Sequence, residues 1–150
     1  MACDSNVPPL WRISVATIEK TSTFSDFTGY DRTFVALDRD VMLRIDDRSI
    51  AVKRLAPCAF GGESRVACEL DGPRAHDLNI MTLRGACAHR LTVCGDTIDV
   101  AIVCADRTSP QENAVCTIAG ITQMPLTVMV RFDEQFKSAL RLLPFRWTPS

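Results

Sequence analysis

Val41-Met42-Leu43-Arg44-Ile45-Asp46-Asp47-Arg48-Ser49-Ile50-Ala51-Val52-Lys53 decides the fold class. Two strand-length alternations of apolar and polar side chains flank a short acidic and polar break, which is the pattern of a β-hairpin with one face turned inward. The same period of two recurs on both sides. Trp11-Arg12-Ile13-Ser14-Val15 puts Trp11, Ile13 and Val15 on one face of a strand. Thr33 to Leu37, Arg65 to Leu70, Asp77 to Leu83, Ala88 to Cys94, Thr97 to Cys104, Ala114 to Ile118 and Leu126 to Phe132 are further strand candidates. Short β-type runs at this spacing, with Gly, Pro or Asp between them, predict an all-β sandwich or small barrel, mostly antiparallel, and not alternating β and α units. Asp133 to Leu143 alone has helical spacing, with Phe136, Leu140 and Leu143 in register before Pro144; an extended return strand is the alternative there.

The chain has 150 residues, 47% of them hydrophobic and 23% charged, with 7 Gly and 8 Pro. That composition supports one packed domain over residues 1–150, and no linker or repeat divides it. Seventeen Lys and Arg against 18 Asp and Glu leave a net charge of -1, so no bulk field gathers nucleic acid or anionic lipid. The longest apolar runs, Val100 to Ala105 and Pro125 to Val130, are far below the roughly 20 residues of a bilayer span. The first residues lack the basic flank and apolar run of an export signal, so a cytoplasmic location is expected. Seven cysteines show no CxxC spacing and are expected to be reduced, buried and small apolar residues.

Only His76 and His89 could ligate a metal through imidazole, thirteen positions apart, so neither a metal nor another cofactor is expected. His76 reads as a solvated loop residue and His89 as a strand residue. Cys87 and His89 lie two apart on one strand face, the spacing a thiol nucleophile and its base would have, and an enzyme using His89 with Cys87 or Asp77 is one alternative. Phe24-Ser25-Asp26-Phe27-Thr28-Gly29-Tyr30-Asp31-Arg32 anchors a loop on two aromatics, turns at Gly29 and presents Arg32 at a strand start. A guanidinium held there could clamp a carboxylate through parallel charge-assisted hydrogen bonds. The competing reading is a surface ion pair of Arg32 with Asp31 or Asp26.

Pro57-Cys58-Ala59-Phe60-Gly61-Gly62-Glu63 permits a sharp turn and close approach of another group to the backbone; a hairpin turn explains it equally. In Asp77-Leu78-Asn79-Ile80-Met81-Thr82-Leu83, alternation places Asp77, Asn79 and Met81 on one face and Leu78, Ile80 and Thr82 on the other. Asp and Asn beside Met on one face line either a polar pocket in a barrel or a half-solvated edge.

Trp11-Arg12-Ile13-Ser14-Val15-Ala16, Phe24-Ser25-x-Phe27-x-Gly29-x-Asp31-Arg32, Pro57-x-Ala59-Phe60-x-Gly62-Glu63 and Gly72-Pro73-x-x-x-Asp77-Leu78-Asn79-Ile80-Met81-Thr82 resemble, in order, the signature blocks of the HutD/Ves family. The resemblance implies a cupin-like (RmlC-like) antiparallel β-barrel or sandwich lacking the cupin metal histidines. It implies a non-enzymatic regulatory protein that senses a small carboxylate of histidine degradation, such as N-formylglutamate or urocanate. Arg32 corresponds to the family's suggested carboxylate contact. On this reading Arg32, Phe60, Asp77, Asn79 and Met81 form the ligand site: Asn79 bonds a formyl or amide group, and Phe60 and Met81 are apolar walls. The family's upstream Trp-x-Asn-Gly-Gly-Gly-x-Thr segment has no counterpart before Trp11, and the blocks end at Gly85. A shortened member with a barrel incomplete relative to the family is therefore expected, with residues 86–150 assigned by pattern only. A structural protein whose open sheet edge pairs with a partner chain, for instance as a homodimer, is the other alternative.

Overall fold

A computed structural model describes residues 2–3, 8–105 and 113–132; the segment 133–143 lies outside the described residues. Among the described residues all regular elements are strands: β1 (Ala2–Cys3), β2 (Trp11–Ile18), β3 (Ser22–Thr23), β4 (Tyr30–Ala36), β5 (Val41–Ile45), β6 (Arg48–Val52), β7 (Cys58–Gly61), β8 (Val66–Glu69), β9 (Ala75–Leu83), β10 (Cys87–Cys94), β11 (Thr97–Cys104), β12 (Ala114–Ile118) and β13 (Leu126–Phe132). They form three sheets with strand orders β1-β2-β9-β4-β7, β3-β8-β5-β6 and β10-β11-β13-β12. Every pairing is antiparallel except β11 with β13, which is parallel.

The hairpin closes as its alternation requires. Ile45 faces Arg48 across a two-residue turn of Asp46 and Asp47, so Arg48 belongs to the returning strand and not to the break. Asp46 takes the left-handed conformation (φ 52°), which Asp tolerates, and its carboxylate accepts the Arg65 N–H at 3.0 Å. Val41, Leu43 and Ile45 thereby point inward while Met42 and Arg44 face out.

The first sheet is covered on both faces. Phe34, Ala36, Phe60 and Ala75 pack toward the β3-β8-β5-β6 sheet with Leu43 and Cys68, while Trp11, Ile13, Val35, Leu78 and Ile80 pack with Ile98, Val100, Ile102 and Val128 of the third sheet. Burying some 25 apolar side chains in these two clusters, at roughly 1.5–3 kcal/mol each, is the main force assembling the layers. β4 is buried along its whole length, which removes the alternation that marks a one-sided strand.

Three expectations change. Residues 58–61 form β7, paired with Asp31 to Phe34, where a turn was expected; the turn falls just after it. His76 lies in β9 and not in a loop: its N–H and ring Nδ1 meet the two carboxylate oxygens of Asp38 at 2.9 and 2.6 Å. The cysteines are not uniformly buried thiols. The β10–β11 register sets Cys87 directly opposite Cys104, and the two form a disulfide; Cys3, Cys94 and Cys116 are exposed, and of the unbonded ones only Cys68 is fully buried. Linear spacing contained no sign of that cross-strand register.

Candidate functional site

The register of β2, β9 and β4 builds the floor of a cleft row by row. Arg12, Met81 and Arg32 stand side by side in one row, Ser14, Asn79 and Phe34 in the next, and Ala16, Asp77 and Ala36 in the third. Because successive side chains alternate, these residues share one face and leave Trp11, Ile13, Leu78 and Ile80 for the core behind. The cleft encloses about 330 Å³, and its only ionisable lining groups among the described residues are Arg12, Arg32 and Asp77.

The wall over this floor is the Phe24–Gly29 loop, and Gly62 holds it down. Phe27 N–H donates to Gly62 O at 2.9 Å, and Gly62 N–H donates to Tyr30 O at 2.7 Å. A Cβ at Gly62 would lie 1.9 Å from Phe27 O, so only glycine admits this approach. Asp26 accepts the N–H and hydroxyl of Thr28 at 2.9 and 2.7 Å, which closes the loop locally and spends that carboxylate.

Arg32 is 5% exposed, with its guanidinium among three rings: Phe27 at 5.0 Å, Phe60 at 5.1 Å and Phe24 at 5.6 Å from the ring centres. Its hydrogen bonds go to neutral acceptors, Ser25 O through Nη1 and Asn79 Oδ1 through Nη2, both at 3.2 Å. Its Nε is buried with no partner. Burial lowers its pKa, partly offset by Asp77. This is a dehydrated cation with no carboxylate bonded to it, and three of its five N–H groups are uncommitted. The surface-pair alternative does not hold: Asp31 faces the other way and pairs with Arg84 at 2.9 Å, and Arg84 also reaches Glu63 at 3.2 Å.

Asn79 is oriented from both sides, accepting from Arg32 and donating through Nδ2 to Asp77 Oδ1 at 2.9 Å. Asp77 is 2% exposed, and loss of hydration holds its carboxyl at about 6, against the lowering influence of Asn79 and Arg32. Met81 lies on the floor between the two guanidinium-bearing residues. The structure thus brings Arg32, Asp77, Asn79 and Met81 together, and sets Phe60 behind Arg32, in the core and off the cleft lining.

The catalytic alternative loses its parts. Cys87 is committed to the disulfide, and His89 lies between Thr33 Oγ1 (2.7 Å, on Nε2) and Thr82 Oγ1 (2.8 Å, on Nδ1) on the other side of the sheet. Burial depresses the imidazole pKa to about 4, so it is neutral near pH 7. No group of His, Cys, Asp and Glu among the described residues could hold a metal ion. Phe24 and Phe27 anchor the loop as the sequence suggested, but their ring contacts with the Arg32 guanidinium, and the parts of Arg12 and Ser25 in the site, were not anticipated. The polar positions of β2 were visible as the reverse of the Trp11/Ile13 face, but which strand would lie beside them was not.

An all-β, cupin-like protein with a dehydrated guanidinium in a cleft is the class that this fold and site define. The family model HutD matches residues 9–124, and the chain belongs to that family. It is 31% identical over 121 residues to protein Ves of Escherichia fergusonii, covering 76% of this chain and 58% of that protein. It is 37% identical over 90 residues to protein Ves of Citrobacter koseri (58% and 47%), and 39% identical over 74 residues to an uncharacterized 21.2 kDa protein in the hutC 3′ region of Pseudomonas putida (47% and 38%). The chain spans about half the length of the curated relatives it matches. The solved structure of HutD from Pseudomonas fluorescens SBW25, obtained in a formate condition, aligns with a TM-score of 0.58 at 28% identity, covering 61% of this chain and 53% of that one. The names of these relatives assign no catalytic activity, and no helix among the described residues is long and apolar enough to cross a membrane.

Proposed function

We propose that the cleft binds a small carboxylate and that the protein is a non-enzymatic, cytoplasmic regulator of the HutD/Ves type. The buried guanidinium of Arg32, bonded only to neutral oxygens, carries this reading. A cation taken out of water costs several kcal/mol unless an anion meets it, and an incoming carboxylate supplies charge-assisted bonds of about 1.5–3 kcal/mol each. Two guanidinium groups against one carboxyl leave the lining net positive when all three are ionised. Asn79 has one amide N–H left for a formyl or amide oxygen, which makes N-formylglutamate, and urocanate through its carboxylate, the first ligands to try. The location of the P. putida relative beside hutC is consistent with an intermediate of histidine breakdown. Titration calorimetry with both compounds tests it: binding that is lost in Arg32→Ala and weakened in Asn79→Ala supports the site. Equal heats in wild type and Arg32→Ala, or none in either, reject it.

A further inference from the structure

The carboxyl of Asp77 shares the cleft with the proposed anion and has no cation bonded to it. It accepts only from neutral donors, Asn79 Nδ2 and the backbone N–H of Ala16. The charged and titratable groups facing it are few. Arg32 on β4 reaches it through Asn79, and Arg12 stands two rows away on β2. From the opposing sheet comes the Cys68 thiol of β8, which burial and Asp77 itself push to about 11, so that it stays protonated. His76, its neighbour on β9, is bonded to Asp38, and its charge when protonated favours the ionised form of Asp77. The loop Ser22–Ser25 adds no ionisable group.

In the empty cleft an ionised Asp77 is the counter-charge to Arg32, one carboxamide away. A carboxylate arriving at Arg32 takes over that role and leaves its negative charge near that of the buried Asp77, where burial of Asp77 and Arg32 weakens the screening of their repulsion. Protonating Asp77 removes the repulsion and turns an acceptor into an O–H donor toward the anion.

We infer that carboxylate binding is proton-linked through Asp77, so that the cleft takes up an anion and a proton together. This rests on Arg32 being the carboxylate contact. The binding-competent form is the one with Asp77 neutral, and burial already holds that group near 6 in the empty protein. If only the protonated fraction binds, the apparent Kd weakens about tenfold between pH 5 and pH 7. The ligand also draws nearly one proton from solvent per molecule bound at pH 7.

The probes are N-formylglutamate and formate, whose acid groups have ordinary carboxylate pKa values near 4 and stay ionised across that range. Urocanate is unsuitable because its imidazole titrates there. Calorimetry at pH 7 in buffers of different ionisation enthalpy counts the protons, and titrations from pH 5 to 7.5 give the affinity profile. Nearly one proton taken up and a tenfold slope support the inference, with Asp77→Asn giving a flat profile near the low-pH affinity of the wild type. Arg32-dependent binding with no proton uptake and no slope overturns it and leaves the carboxylate site standing. No binding at any pH removes both. If Asp77→Asn does not fold, the wild-type proton count decides alone.

Discussion

Gly62→Ala is the substitution by which the structure exposes its own supports. The added methyl would meet backbone, Phe27 O at 1.9 Å and Tyr30 O at 3.0 Å, so the Phe24–Gly29 loop must move. Moving it breaks the Phe27 N–H to Gly62 O and Gly62 N–H to Tyr30 O bonds, at about 0.5–1.5 kcal/mol net each. It also draws the Phe27 ring away from Arg32, where the cation–ring contact contributes about 0.5–2 kcal/mol. The total is about 1.5–5 kcal/mol, or roughly 3–20 °C in Tm for a chain of this size. Gly61→Ala next door is the internal control: the nearest atoms to its methyl belong to the Glu63 side chain, which can swing aside at the expense of its exposed pair with Arg84, so its cost stays at about 1 kcal/mol or below. Urea unfolding followed by tryptophan fluorescence reads both, and carboxylate titration reads whether the disturbed loop also loosens the cleft. A Gly62→Ala protein as stable as Gly61→Ala would refute the view that this contact pins the site.

Two buried groups give opposite pH responses. Asp77, at about 6 in the fold against 3.8 unfolded, adds stability as pH falls through 6 toward 4, by about 3 kcal/mol. His89, at about 4 in the fold against 6.5 unfolded, removes about 3 kcal/mol as pH falls through 6.5 toward 4, because the unfolded chain protonates first. The pair therefore nearly cancels in the wild type. In denaturant titrations between pH 4 and 6.5, Asp77→Asn should show steep acid destabilisation and His89→Gln acid stabilisation; parallel profiles in all three proteins would contradict both placements. Reducing the Cys87–Cys104 bond, which closes a 17-residue separation, should cost up to about 3 kcal/mol in wild type and nothing further in a Cys87→Ser/Cys104→Ser protein, measured by thermal melts with and without a reducing agent.

Alternation made the outer strands readable. The 41–53 hairpin and strand 126–132 each turn one set of side chains inward. Strand 97–104 is buried on both faces from Val100 onward, and strand 114–118 is exposed up to the half-buried Ile118, its alternation marking a strand without a buried face. β4 and β7 were harder for physical reasons. β4 is covered on both faces, so its first residues, Tyr30, Asp31 and Arg32, show no pattern, and β7 ends against two glycines that resemble a turn. At the site, Asp77, Asn79 and Met81 were readable as one face because a single strand carries them. Their meeting with Arg32 came from the family resemblance. Phe24 and Phe27 were readable as loop anchors, but Arg12, the closing of Phe60 on Arg32 and the disulfide depend on which strand lies beside which, and no local spacing encodes that.

The central claim is that Arg32 is buried for a ligand. A thermal-shift comparison of wild type and Arg32→Ala with N-formylglutamate, urocanate and formate tests it most directly. At a hundredfold excess over Kd a ligand that binds only the fold adds about 2.7 kcal/mol, a rise of roughly 5–11 °C. That rise in the wild type and its absence in Arg32→Ala is the predicted result; melting temperatures that no carboxylate moves, or that move equally in both proteins, would contradict it.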